Sequence, residues 1–125
     1  MDRRPTGLKT LYNLLPHDLT YVASDGEIVL PRSRVARVEE YLTGSSQVET
    51  DRGIIRIDEE CIGPVAGLPR PDGRTIYVVS KLLALYIAMS GDMRDDVVFP
   101  GWPVRDGDRR VVGSTNLVRI VGVKS

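Results

Sequence analysis

Thr75-Ile76-Tyr77-Val78-Val79-Ser80-Lys81-Leu82-Leu83-Ala84-Leu85-Tyr86-Ile87-Ala88-Met89-Ser90-Gly91 is the stretch that decides the fold class. Its first five residues are a short, continuous β-branched and aromatic run, the composition of a central strand covered on both faces. Ser80 then has the side chain of an N-cap, and an apolar segment follows from Lys81 to about Ser90, closed by Gly91. A strand therefore runs directly into the one clear helix of the chain. Leu82, Leu83, Leu85, Tyr86 and Met89 cover much of that helix's circumference, so it is expected to pack on at least two sides. Two arrangements satisfy this. Either one side, with Tyr86 and Met89, faces a second copy of the chain, giving a homo-oligomer, or the helix is enclosed between the sheet and the Pro-rich stretch Gly63–Asp72.

Strand signals dominate on either side of this unit. Leu19–Ala23 and Glu27–Leu30 flank Ser24-Asp25-Gly26, and Asp-Gly between β-forming runs predicts a hairpin. Val35, Val38, Tyr41 and Leu42 mark a third element, in which Arg34–Val38 reads as strand with helical spacing nearly as good. Asp51-Arg52-Gly53 turns the chain into Ile54–Asp58, another strand. Gly63–Gly73 holds three prolines and three glycines, which predicts an ordered loop. Beyond the helix, Val97–Phe99 is a short strand, Arg105–Arg109 an acidic-Gly turn into Arg110–Gly113, and Asn116–Val121 a final strand. The expected fold is α+β, a mostly antiparallel sheet with one prominent helix, in a single domain spanning residues 1–125.

Composition narrows the function. The chain has 125 residues, with Lys and Arg equal to Asp and Glu at 17 each. It therefore lacks the basic surplus of a dedicated duplex nucleic-acid binder. Cys61 is its single cysteine, which excludes an internal disulfide and suits a reducing, cytoplasmic setting. It also reads as a small core residue beside Ile62. Met1–Pro5 is charged, with no apolar run after it, so no secretory leader is expected. Leu82–Met89 is too short to cross a bilayer, so no membrane partner is expected.

The chemistry-bearing residues are few. His17, the only histidine, sits in Asn13-Leu14-Leu15-Pro16-His17. Pairing it with Ser80 or Ser114 would make a base and a nucleophile, but nothing in the spacing favours a triad. A single His after a Pro is more often a turn residue bonded to nearby backbone than a catalyst. Asp92, Asp95 and Asp96 form the only acidic cluster, interrupted by Arg94, and read as a solvated loop rather than a calcium site. No metal and no cofactor are expected. A binding surface remains. Phe99, Trp102 and Tyr86 offer aromatic faces, and Arg94, Arg105, Arg109 and Arg110 offer guanidinium forks. That combination suits a small phosphorylated ligand carrying a base. Phe99 on a β-run reads more readily as core than as a platform, Arg109-Arg110 also reads as a solvated hairpin tip, and Asn116 as a turn-closing amide.

Asn13–His17, followed by Pro31–Val38, resembles small phage and prophage proteins that open with an Asn-Leu-Thr-Pro-His motif. The later blocks of those proteins keep their order here as Gly67-Leu68-Pro69, Tyr77–Ser80, Pro100–Asp106 and Gly113–Leu117. The resemblance covers most of the chain and departs at Leu15, where Thr is usual, and across Thr43–Asp51. In size, phage character and ligand chemistry, though not through a diagnostic motif, the chain is similar to the type 1 Thoeris anti-defence family. Those proteins are phage sponges that sequester cyclic ADP-ribose immune signals. The resemblance implies a non-catalytic, oligomeric binder of a small nucleotide-like signal, acting in the host cytoplasm. It implies a site of aromatic, Asn and Arg residues, for which the candidates in this chain are Phe99, Arg105, Arg109 and Asn116, joined by His17 and Asn13. Two other readings remain open. One is a nucleotide-processing enzyme with His17 as general acid/base, a role imidazole chemistry permits. The other is a phage structural or interaction module.

Overall fold

The computed structural model describes residues 8–124; the charged opening Met1–Pro5, expected to be no leader, lies outside them. The strands are β1 (Thr10–Asn13), β2 (Leu19–Ala23), β3 (Gly26–Leu30), β4 (Arg37–Thr50), β5 (Gly53–Ala66) and β6 (Thr75–Val78). Helix α1 (Lys81–Met89) follows, then β7 (Val97–Pro100), β8 (Pro103–Arg105), β9 (Val111–Ser114) and β10 (Leu117–Val118). Among the described residues the fold is mostly sheet, with one helix.

Three sheets form, ordered β1-β6-β7-β10, β3-β2-β9-β8 and β4-β5. They are largely antiparallel but mixed. β6 pairs in parallel with both β1 and β7, and β2 with β9. Strand alternation in β6 and β7 explains the layering. Tyr77, Val79, Val97 and Phe99 point to one face and meet Leu83, Ala84 and Ile87 of α1. Val78 and Val98 point to the other and meet Leu15 and Leu19 at the start of β2. A sheet buried on both faces needs continuous apolar runs rather than alternating ones, and Ile76–Val79 and Val97–Phe99 supply them. Ser80 caps α1 by accepting from Leu83 N, and Gly91 takes the positive φ (84°) that ends it.

Several sequence expectations are corrected. β5 continues to Ala66, so Gly63–Ala66 is strand rather than loop. Pro64 is accommodated because the register slips from Val38↔Val65 to Glu40↔Ile62, and a bulge does not need its missing N–H. The last strand covers only Leu117–Val118. Cys61 is exposed on β5 rather than in the core. Of the acidic cluster expected to be a solvated loop, Asp92 and Asp95 are exposed, whereas Asp96 is buried and holds Arg94, with Nη2 2.6 Å from Oδ2. No helix among the described residues is long and apolar enough to cross a membrane.

Candidate functional site

The site begins with Asn13, the last residue of β1. Its amide donates to the carbonyls of His17 (3.0 Å) and Leu30 (2.9 Å), and its Oδ1 accepts from Leu15 N (2.9 Å). These bonds fold Leu14–Asp18 into a fixed loop, with Ser33 adding a hydroxyl bond to the Asn13 carbonyl. The loop carries His17 to the mouth of a cleft of about 370 Å³, facing Ser80 and Lys81 at the start of α1. Leu15, Pro103 and Val112 give the cleft an apolar wall.

The α1 side of the cleft is suited to negative charge. The N-terminus of a helix carries partial positive charge from its first-turn amides, and Lys81 adds a full one. Lys81 Nζ stands 5.9 Å from the centroid of the Phe99 ring, which orients it as a cation over an aromatic face. His17 Nδ1 lies 2.8 Å from the Asp18 carbonyl oxygen. A carbonyl only accepts, so the proton sits on Nδ1 and Nε2 is the ring nitrogen left for another partner. Asp18 also borders the cleft, and one of its carboxylate oxygens accepts from Arg32 N at 2.9 Å.

Two glycines let the walls come this close. A Cβ on Gly101 would lie 2.1 Å from Asn116 Oδ1, and one on Gly113 would lie 2.7 Å from the Thr20 carbonyl oxygen.

Of the six residues expected to bind ligand, His17 lines this cleft and the other five do not. Asn13 is buried with its amide fully employed. Phe99 belongs to the core beneath Lys81. Asn116 Oδ1 accepts from Trp102 N at 2.7 Å, so it fixes the turn Gly101-Trp102 at the rim. Arg105 donates to the Arg109 carbonyl at 2.9 Å, and Arg109 has a positive φ of 63°. Those two arginines shape the β8–β9 hairpin tip. Trp102 is exposed. Neither the family models, nor the curated proteins, nor the solved structures match this chain.

Lys81 is the cleft residue that the sequence pattern did not single out. Its one signal was the position immediately after an N-cap serine, where a side chain stands beside the positive end of the helix. Among the described residues, no group of three His, Cys, Asp or Glu side chains is placed to hold a metal ion.

Proposed function

We propose that the chain is a non-catalytic binder that sequesters a small nucleotide-like signal of the cyclic ADP-ribose type, in an anti-defence role. One observation carries the reading: a single cleft brings His17, Ser80 and Lys81 at a helix N-terminus together opposite an apolar wall. Its volume lies within the range of small-molecule sites, roughly 300–1,000 Å³. The cationic side fits a phosphate group and the Leu15–Val112 side fits a base or ribose face. Phe99, Arg105, Arg109 and Asn116, the residues expected from the sequence, would then act on the site's frame rather than on the ligand. His17 and Ser80 share the cleft, so the processing enzyme is the second reading, with His17 Nε2 as its acid/base.

Calorimetric titration with cyclic ADP-ribose isomers, followed by heat release and chromatography of what was bound, tests both. Intact ligand recovered after denaturation is expected. A converted product would favour the enzyme, and no retention of any isomer would overturn the binder. Losing a charge-assisted contact costs roughly 1.5–3 kcal/mol, about one to two decades of affinity. Lys81→Ala is therefore expected to weaken binding at least tenfold, while Arg105→Ala leaves it within a factor of two or so. The reverse ranking would return the site to the β8–β9 hairpin.

A further inference from the structure

β4 and β5 form a two-stranded ribbon of 14 residues per strand that hydrogen-bonds to no other strand of the described chain. At roughly 3.3 Å per residue it is about 45 Å long. Two-stranded ribbons are marginally stable alone in water, so one this long calls for a cover. Its two faces differ. The register Val48↔Ile55 and Ser46↔Ile57 places Val48, Ile55 and Ile57 on one face near the tip, and β5 continues that face through Glu59 to Cys61 opposite Tyr41. Gln47, Arg56, Ser45 and Asp58 lie on the other face, where Arg56 bonds Ser45 and Asp58, with Ile54 on that face beside the tip turn, opposite Glu49. The apolar face is bare: Ile55 is 47% and Ile57 46% exposed.

The surface area says how much cover is missing. The chain exposes 9733 Å², whereas a compact monomer of 13.8 kDa exposes about 6,600 Å². Residues 1–7 and 125 contribute at most about 1,300 Å² of the difference. Roughly 1,800 Å² remains, well above the ~800 Å² per partner of a standard interface and within the obligate range.

Charge says what supplies the cover. Residues 37–66 carry seven acidic side chains against three arginines, net −4, while residues 8–36 and 67–124 carry twelve basic against nine acidic, net +3. The ribbon is thus repelled by nucleic acid and attracted to the body of a second copy. That body offers a seat. An apolar groove of about 420 Å³ opens between α1 and the root of the ribbon, bordered by Val35, Ile62, Leu82 and Tyr86. Leu82 on its rim is 80% exposed. Two ribbons crossing antiparallel about a two-fold axis bring each tip to the other's root, where this groove lies.

We propose that the β4–β5 ribbon is an exchanged arm whose Val48–Ile55–Ile57 face seats on the α1 groove of a second copy, closing a two-fold dimer. The proposal does not depend on what occupies the His17–Lys81 cleft. Sedimentation equilibrium at micromolar concentration should give about twice the 13.8 kDa chain mass. Ile55→Lys with Ile57→Lys should give a monomer that keeps the helical signal of the body, because both side chains are exposed within one chain, while the uncovered ribbon is free to lose strand signal. Ser45→Lys with Gln47→Lys, on the opposite face, should remain dimeric. A monomeric parent, or a dimer that survives the Ile55/Ile57 change, overturns the proposal. Should the Ile55/Ile57 variant not fold, Val48→Cys with Leu82→Cys in a Cys61→Ser background decides. A disulfide-linked dimer on oxidation supports the exchanged arm, and its absence refutes it.

Discussion

Asn13 shows how one buried amide holds the candidate site in place. It is 3% exposed, and its three bonds reach four residues ahead to His17, two ahead to Leu15 and seventeen ahead to Leu30. Asn13→Ala strands the Leu15 amide and the Leu30 carbonyl without partners. A buried group left unsatisfied costs roughly 1–3 kcal/mol, so a loss of about 2–3 kcal/mol in urea unfolding is expected, with affinity lowered because the His17 loop is released. A change below about 0.5 kcal/mol, the size of an ordinary surface substitution, would mean that the loop is held by Ser33 and Ala36 instead. The sequence marked Asn13 as special and misread why. A polar residue beside Pro-His looks the same whether it faces a ligand or a carbonyl seventeen residues away. Phe99 was better read: a ring on a β-run is more often core than platform, and Phe99 lies in the core.

At the level of elements, local chemistry was legible and extent was not. Asp25-Gly26, Asp51–Gly53 and Ser80…Gly91 all lie where turn and cap preferences place them, because those signals act within a few residues. The ribbon's length escaped because two bulges break its alternation and Pro64 reads as a terminator. Asp72 illustrates a strand start that is chemically explicit. Its carboxylate accepts from Arg74 N, Thr75 N and Thr75 Oγ1 at 2.8–2.9 Å, fixing the entry to β6. These bonds, the Arg74 amide first, hold its pKa below the ordinary carboxylate value. A depressed folded pKa contributes stability above the unfolded value and loses it as pH falls through the folded one. Asp72→Asn should therefore be less stable than the parent at neutral pH, with the two urea midpoints converging below about pH 4. A gap unchanged at low pH would show that shape, not charge, fixes this turn.

On the scale of the molecule, topology was the least legible feature. β1 pairs with β6 across sixty-five positions, Thr10 with Thr75, and does so in parallel; no turn motif records such a pairing. What the sequence did carry was the imbalance between apolar surface and the means to cover it. The helix was expected to face either a partner, through Tyr86 and Met89, or the Gly63–Asp72 stretch, and Tyr86 takes the second course. Tyr86 OH donates to the Gly63 carbonyl at 2.9 Å, turning the inner side of α1 toward the ribbon root, while Leu82 and Met89 remain exposed. An exchanged-arm dimer couples folding to association, because arm and groove are covered only when two chains meet. The unfolding midpoint should then rise with protein concentration. A tenfold change is worth about 1.4 kcal/mol per dimer, which for a dimer of this size moves the midpoint by about 3–5 °C. The Ile55/Ile57 lysine variant should show no such dependence. A bound nucleotide should raise the midpoint of either protein at fixed concentration, through the cleft alone. A parent midpoint independent of concentration would detach the ribbon from association, while a ligand shift in the monomeric variant would still stand for the His17–Lys81 cleft.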